Sequence, residues 1–172
     1  VVGESQQMTI LGFDPGTAIT GYGVLQQEGQ KLTVLTFGCI TTPANLAAPR
    51  RLQRIYEEVC RLLEEYQPDV VVTERLFFNR NETTALSVGR TIGVILLAVA
   101  QHGVEWVEYT PLQVKTAVVG YGGAEKKQIQ YMVTRLLGLS ETPKPDDAAD
   151  ALAVALCHAH SAWAKGLEAR GR

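Results

Sequence analysis

Four carboxylates stand out because each sits where a charge is expensive. Met8-Thr-Ile-Leu-Gly-Phe-Asp-Pro-Gly-Thr17 reads as a short buried strand, Thr9 to Phe13, that runs into Asp14 and is broken at once by Pro15-Gly16. No Lys or Arg lies within ten residues of Asp14 on either side. Its partner is therefore a cation from elsewhere in the fold or a metal ion, because desolvating an unpaired carboxylate costs several kcal/mol or more. Val70-Val-Val-Thr73 is a continuous β-branched run, as in a strand buried on both faces, and it ends in Glu74. Asp147 and Asp150 stand three apart at the head of Asp146-Asp-Ala-Ala-Asp-Ala-Leu-Ala-Val-Ala-Leu156, so both project from one face of a helix's first turn. The rest of that helix is Ala, Val and Leu, and hence buried.

The bland explanations are unequal. An Asp at a strand end is as often a turn cap as anything else, and Asp146 is a reasonable helix N-cap. A helix dipole favours acids in the first turn by only a few tenths to about 1 kcal/mol, which does not account for two carboxylates aimed into an apolar setting. All-oxygen ligation of this kind suits Mg²⁺ or Mn²⁺ and not zinc. Carboxylates clustered around two such ions about 3.5–4 Å apart are equipment for in-line displacement at phosphorus. His158 and His160 read as structural.

The elements that must position these acids follow from periodicity. Gly21 to Gln27 and Lys31 to Ile40 are two further strands joined by a tight hairpin at Glu28-Gly29-Gln30, so the chain opens as an antiparallel meander. Arg50 to Tyr66 is an amphipathic helix with Leu52, Ile55, Val59, Leu62, Leu63 and Tyr66 on one side. Thr83 to His102 is a second helix, with Leu86, Gly89, Gly93 and Leu97 along one line. Glycines at that spacing admit a close backbone approach, inside the domain or across a dimer, and the sequence favours the internal one. Val104 to Tyr109 is a fifth strand, Pro111 opens a helix to about Val119, and Glu125 to Leu137 is helical with Ile129, Met132, Val133, Leu136 and Leu137 inward. Between Gln113 and Arg135 the four basic residues Lys115, Lys126, Lys127 and Arg135 outnumber the single acid Glu125, making this the one clearly basic segment.

A chain of 172 residues with 46% hydrophobic and 20% charged residues is ordinary for one globular domain. The expected organisation is a disordered leader at 1–7, one domain at 8–165 and a disordered tail at 166–172. A net charge of −2 gives no global sign of nucleic-acid binding, so any such surface is local. Cys39, Cys60 and Cys157 are widely spaced, which argues for reduced thiols in a cytoplasmic protein. The most apolar run, Ile92 to Ala100, is too short to cross a bilayer, and no membrane is expected.

The order β-β-β-α-β-α-β-α-α, with acids at these places, resembles the ribonuclease-H-like α/β fold, a central mixed five-stranded sheet flanked by helices. Within it, the chain resembles the RuvC-type Holliday-junction resolvases from about Thr9 to His160. The resemblance is carried by Ile-Leu-Gly-Phe-Asp14-Pro-Gly, Val-Val-Thr-Glu74, Gln113-Val-Lys-Thr-Ala-Val-Val-Gly, Gly123-Ala-Glu-Lys126 and Asp147-Ala-Ala-Asp150-Ala-Leu-Ala, in order and at the family's spacing. It implies a metal-dependent crossover junction endodeoxyribonuclease making paired nicks in four-way junctions during recombination and repair, with two Mg²⁺ ions per site or Mn²⁺ in their place. It carries the metal-binding acids onto Asp14, Glu74, Asp147 and Asp150, the DNA-contacting lysines onto Lys115 and Lys126, and the aromatic wedge of the loop onto Phe77, next to Phe78. It also implies a homodimer and the branch-migration partners RuvA and RuvB.

Two other classes compete. An actin/sugar-kinase-like ATPase also runs its first strand into Asp-x-Gly-Thr, as Asp14-Pro-Gly-Thr17 does, but that fold needs roughly twice this length by ordinary domain sizes and has no use for Asp147 and Asp150. A non-catalytic nucleic-acid-binding module leaves all four acids unexplained.

Overall fold

In a computed structural model, residues 7–75 and 82–170 are described, and the side chains of residues 82–84 and 165–170 are left aside. Three strands form the meander, β1 (Gln7–Asp14), β2 (Ile19–Glu28) and β3 (Lys31–Thr41), followed by α1 (Ala48–Tyr66), β4 (Val70–Glu74), α2 (Glu82–His102), β5 (Glu105–Tyr109), α3 (Pro111–Val119), α4 (Lys126–Leu136) and α5 (Asp146–Arg170). The sheet order is β3-β2-β1-β4-β5. β1–β2 and β2–β3 are antiparallel, whereas β1–β4 and β4–β5 are parallel, so the sheet is mixed. The β2–β3 connection is the two-residue turn Gly29-Gln30, and Gly29 supplies the left-handed φ of 62° that such turns need.

Two cores lie on the two faces. Leu11, Phe13, Val24 and Val71 point toward α1 and α2, where Ile55, Val59, Leu62, Ile95 and Val99 meet them. Ile10, Leu25, Val70 and Val72 point the other way, toward α3, α4 and α5. Helix α5 lies between the sheet and the α3/α4 pair, which is why it is apolar all round: its residues Ala148, Ala149, Ala151 to Cys157 and Ala159 are buried.

Several boundaries differ from the sequence reading. Helix α5 continues to Arg170, well past Leu156. Asp146 is not a flanking cap but part of the first turn of α5. Leu136 is exposed, since α4 turns only a narrow stripe around Val133 inward. The internal use of Gly89 and Gly93 is overturned: among the described residues, a Cβ at either would meet nothing within 4 Å. Leu86 and Leu97, on the same line, are 58% and 53% exposed. The expectation that no segment has the length and apolarity of a membrane span is also corrected, because Ala85–His102 has mean hydropathy 1.4 over 18 residues, of which only 28% are buried. Helix α2 packs against α1 along one side, and its other side is an apolar face that no other described residue covers.

Candidate active site

Strand parity aims the acids. Side chains alternate across a sheet, so Asp14 shares a face with Ile10 and Gly12, and Glu74 with Val70 and Val72. Both acids therefore emerge on the α5 side. β1 and β4 are parallel neighbours with Phe13 paired to Thr73, so Asp14 and Glu74 follow side by side at the ends of strands about 4.8 Å apart.

Helix α5 brings the other two acids down to them, and three glycines make room for it. A Cβ on Gly21, the residue across from Asp14 on β2, would stand 1.9 Å from the Asp147 carbonyl oxygen. One on Gly12 would stand 2.3 Å from the Ala151 oxygen, and one on Gly23 2.6 Å from Leu152 Cδ2. These positioning residues were missed by the sequence reading. The available signal was Gly21-x-Gly23 inside a strand, a pattern that marks close approach of another backbone.

The loop after Asp14 is held by hydroxyls. Thr20 Oγ1 donates to the Gly16 carbonyl at 2.6 Å, and Thr42 Oγ1 donates to the Thr17 carbonyl at 2.5 Å while accepting from Arg51 Nε at 2.8 Å. Thr17 Oγ1 is within hydrogen-bond distance of Ser87 Oγ at 2.6 Å and Thr91 Oγ1 at 3.1 Å on α2. The turn that presents Asp14 is thereby tied to both α1 and α2.

The electrostatics are those of one shared site. Burial pushes the Asp14 carboxyl up to about 7, helped by the nearby charges of Asp150, Asp147 and Glu74. Glu74 is raised by burial and by Asp150, with Lys115 pulling the other way. Asp150 is also raised by burial, against the pull of Lys126. The Lys126 ammonium lies 3.0 Å from Asp150 Oδ2 and 3.4 Å from Asp146 Oδ2. Burial alone would lower the Lys126 pKa, but Asp150 and Asp146 outweigh it and hold it raised.

The sequence-predicted residues thus converge. Asp14, Glu74, Asp147 and Asp150 meet at one end of the sheet, with Lys115 acting on Glu74 and Lys126 on Asp150. Phe77 and Phe78 lie outside the described residues. The two histidines are structural, as expected: His158 Nδ1 meets the Tyr109 hydroxyl at 2.9 Å, and His160 Nδ1 donates to the Ala117 carbonyl at 3.0 Å.

The donor chemistry fits a hard divalent cation. Every candidate ligand is a carboxylate oxygen, the acids repel one another, and the charge that Lys126 places on Asp150 is a stand-in cation already at the cluster. Among the described residues, no three carboxylates, imidazoles or thiolates yet stand close enough to enclose an ion. Mutually repelling acids with one ammonium among them are expected to stand apart in this way.

The comparisons agree with this geometry. The family model described as Crossover junction endodeoxyribonuclease RuvC matches residues 10–158. Proteins named Crossover junction endodeoxyribonuclease RuvC from Alkaliphilus oremlandii and Syntrophomonas wolfei are 58% and 56% identical over 154 residues, covering 90% of this chain and 94% and 90% of theirs. Thermus thermophilus RuvC, solved in complex with a Holliday junction substrate, superimposes with a TM-score of 0.87 at 38% identity, covering 92% of this chain and 96% of that one. The match spans both strand-end acids, the basic segment and the head of α5, which leaves the ATPase reading without support. The chain belongs to the RuvC family of crossover junction endodeoxyribonucleases.

Proposed function

We propose that this Holliday-junction resolvase cuts with a single acid cluster, Asp14, Glu74, Asp147 and Asp150, loaded with Mg²⁺. The convergence of four carboxylates from two strand ends and one helix turn carries this reading. Such a cluster suits metal-assisted displacement at phosphorus, whereas a purely structural role would leave buried acids against one another without a cation to balance them. Bound Mg²⁺ would supply a nucleophilic water and charge neutralisation at the leaving oxygen. The chain's own part is to hold that charge on rigid elements. Asp14 and Glu74 are fixed by sheet register and Asp147 and Asp150 by the glycine seat under α5, while Lys115 and Lys126 bring positive charge to the rim, where a phosphate backbone would lie. Mn²⁺ has the same ligand preference and should substitute.

A four-way junction has approximate two-fold symmetry, and its resolution takes two cuts on strands of like polarity. One site does not reach both scissile phosphates, whereas a C2 dimer presents two identical sites. The open face of α2 is the seam this reading favours, because Leu86, Gly89, Gly93 and Leu97 form a line of apolar and small residues that no other described residue covers. Phe77 as the wedge that stacks on an unpaired base, RuvA and RuvB as partners, residues 8–165 as the working domain and a cytoplasmic location complete the proposal.

The deciding experiment is cleavage of a synthetic four-way junction with and without Mg²⁺ or Mn²⁺. Metal-dependent paired nicks are expected; binding without nicking under every metal condition would refute the reading. Junction affinity should also fall steeply with salt, each lost phosphate-contacting lysine lowering the slope by roughly 0.9.

A further inference from the structure

The acid that the cluster does not account for is Asp146. It stands four residues before Asp150 on α5, on the same face of the helix, and like Asp150 it is within ion-pair distance of Lys126. The two acids differ in depth: the Asp146 side chain is 61% exposed and that of Asp150 31%. Lys126 is the first residue of α4, where the partial positive charge of a helix N-terminus disfavours a cation. Its position is therefore paid for by the acids of α5, not by its own helix.

We propose that Asp146 is a positioning residue, the outer seat of a two-seat switch in which Lys126 leaves Asp150 for Asp146 when a divalent cation takes Asp150. This rests on the metal-site reading above. Asp150 has one carboxylate to offer, and an ammonium at 3.0 Å occupies the ground that a divalent ion needs. The ion displaces it on charge, but the ammonium is tethered by the start of α4 and has to remain close to the incoming charge. Without a second acceptor it would stand beside a cation with no carboxylate of its own. Asp146, already 3.4 Å from Lys126 Nζ, takes it with a small side-chain swing. The ammonium is thereby kept at the exposed rim, charged and next to the site, where it would meet a DNA phosphate. Asp14, which also feels Lys126, loses that neighbour and gains the ion in its place.

An alternative gives the same first result. Asp146 could favour a cation merely by adding negative charge nearby, or by ligating the ion itself, and in either case Lys126 would be irrelevant. A double-mutant cycle separates the two. The readout is Mn²⁺ affinity of the full chain without DNA, by calorimetry or by electron paramagnetic resonance of the free ion. Thermal melts establish that each variant is folded.

Asp146→Asn should weaken Mn²⁺ binding about two- to fivefold, the range carried by a partly exposed ion pair, and Asp146→Glu should restore it. Lys126→Met should tighten binding, since the competitor is gone, and in that background Asp146→Asn should change affinity little. Equal weakening by Asp146→Asn in both backgrounds would overturn the switch in favour of direct ligation or through-space charge. No effect in either background would also overturn it. If the unsubstituted chain bound no Mn²⁺ at millimolar concentration, the metal-site reading would fail and this inference with it. Normal Mn²⁺ binding with an inert Asp146 would sink the inference alone.

Discussion

Helices α5 and α2 carry the same kind of sequence, apolar with small residues at helical spacing, and the molecule uses them in opposite ways. α5 lies on β1 and β2 with its carbonyls against strand glycines, so close that a Cβ on Gly21 would fall 1.9 Å from the Asp147 oxygen. α2 covers the other face of the sheet only in part, and a Cβ on Gly89 or Gly93 would meet nothing within 4 Å among the described residues. In α5 the small residues are on the inside of a close approach that sets two of the proposed catalytic acids against two strand ends. In α2 they are on the outside of the fold and serve, on our reading, a second copy of the chain. A small-residue pattern announces that something comes near; whether it belongs to the same chain depends on which neighbour the topology has already put there.

The comparison can be broken most forcefully at the acids that α5 delivers. Asp147→Asn and Asp150→Asn, with Asp14→Asn and Glu74→Gln on the strands, should each lower junction cleavage by at least roughly 10²-fold, the scale of losing one charge-stabilising group at a reacting centre, with junction binding retained. Full-rate cutting by any one of them removes that residue from the site.

Next comes the seat. Gly21→Ala pushes a methyl group into the first turn of α5, an overpacking that costs about 1–3 kcal/mol. That is roughly 2–4 °C in Tm for each kcal/mol in a chain of this size, and cleavage should fall with it because Asp147 and Asp150 are displaced. A Gly21→Ala protein that melts and cuts normally would mean α5 does not depend on this contact.

On the α2 side the expected loss is of assembly and not of fold. Gly93→Leu should leave the melting temperature of the monomer nearly unchanged, weaken the dimer in sedimentation and yield singly nicked junctions. A variant that stays dimeric and still makes paired cuts places the seam elsewhere.

A pH series sharpens the electrostatic half of the comparison. Asp14 is raised to about 7 from an ordinary 3.8, so in metal-free protein the folded state holds a proton that the unfolded state has released. The stability associated with that proton is complete below about pH 4 and is lost as pH rises through about 7. The melting temperature of Asp14→Asn relative to the unsubstituted chain should therefore climb across that window in chelator. A difference flat with pH would mean that Asp14 is not the group holding the proton.

The smallest effect is Gly93→Ala, which should be neutral or stabilising by up to about 1 kcal/mol through helix propensity, in contrast to Gly21→Ala. Equal destabilisation by both in thermal melts would erase the distinction between the two helices.

Much of this was legible in the residues. The strands and helices follow from alternation and helical spacing, which are local properties. The expense of Asp14, Glu74 and Asp150 in apolar company follows from desolvation, which needs no coordinates. Three things were decided only by packing in three dimensions. The sheet order put β4 beside β1, which makes neighbours of two acids sixty residues apart. The glycines of β1 and β2 acquired their role only once α5 lay on them, since the backbone freedom of a glycine does not say what it accommodates. Lys126 met Asp150 and Asp146 because α4 begins where α5 begins, a coincidence of helix ends that short-range sequence pattern does not encode. Charge and periodicity are written along the chain, whereas which charges face one another depends on how the layers stack.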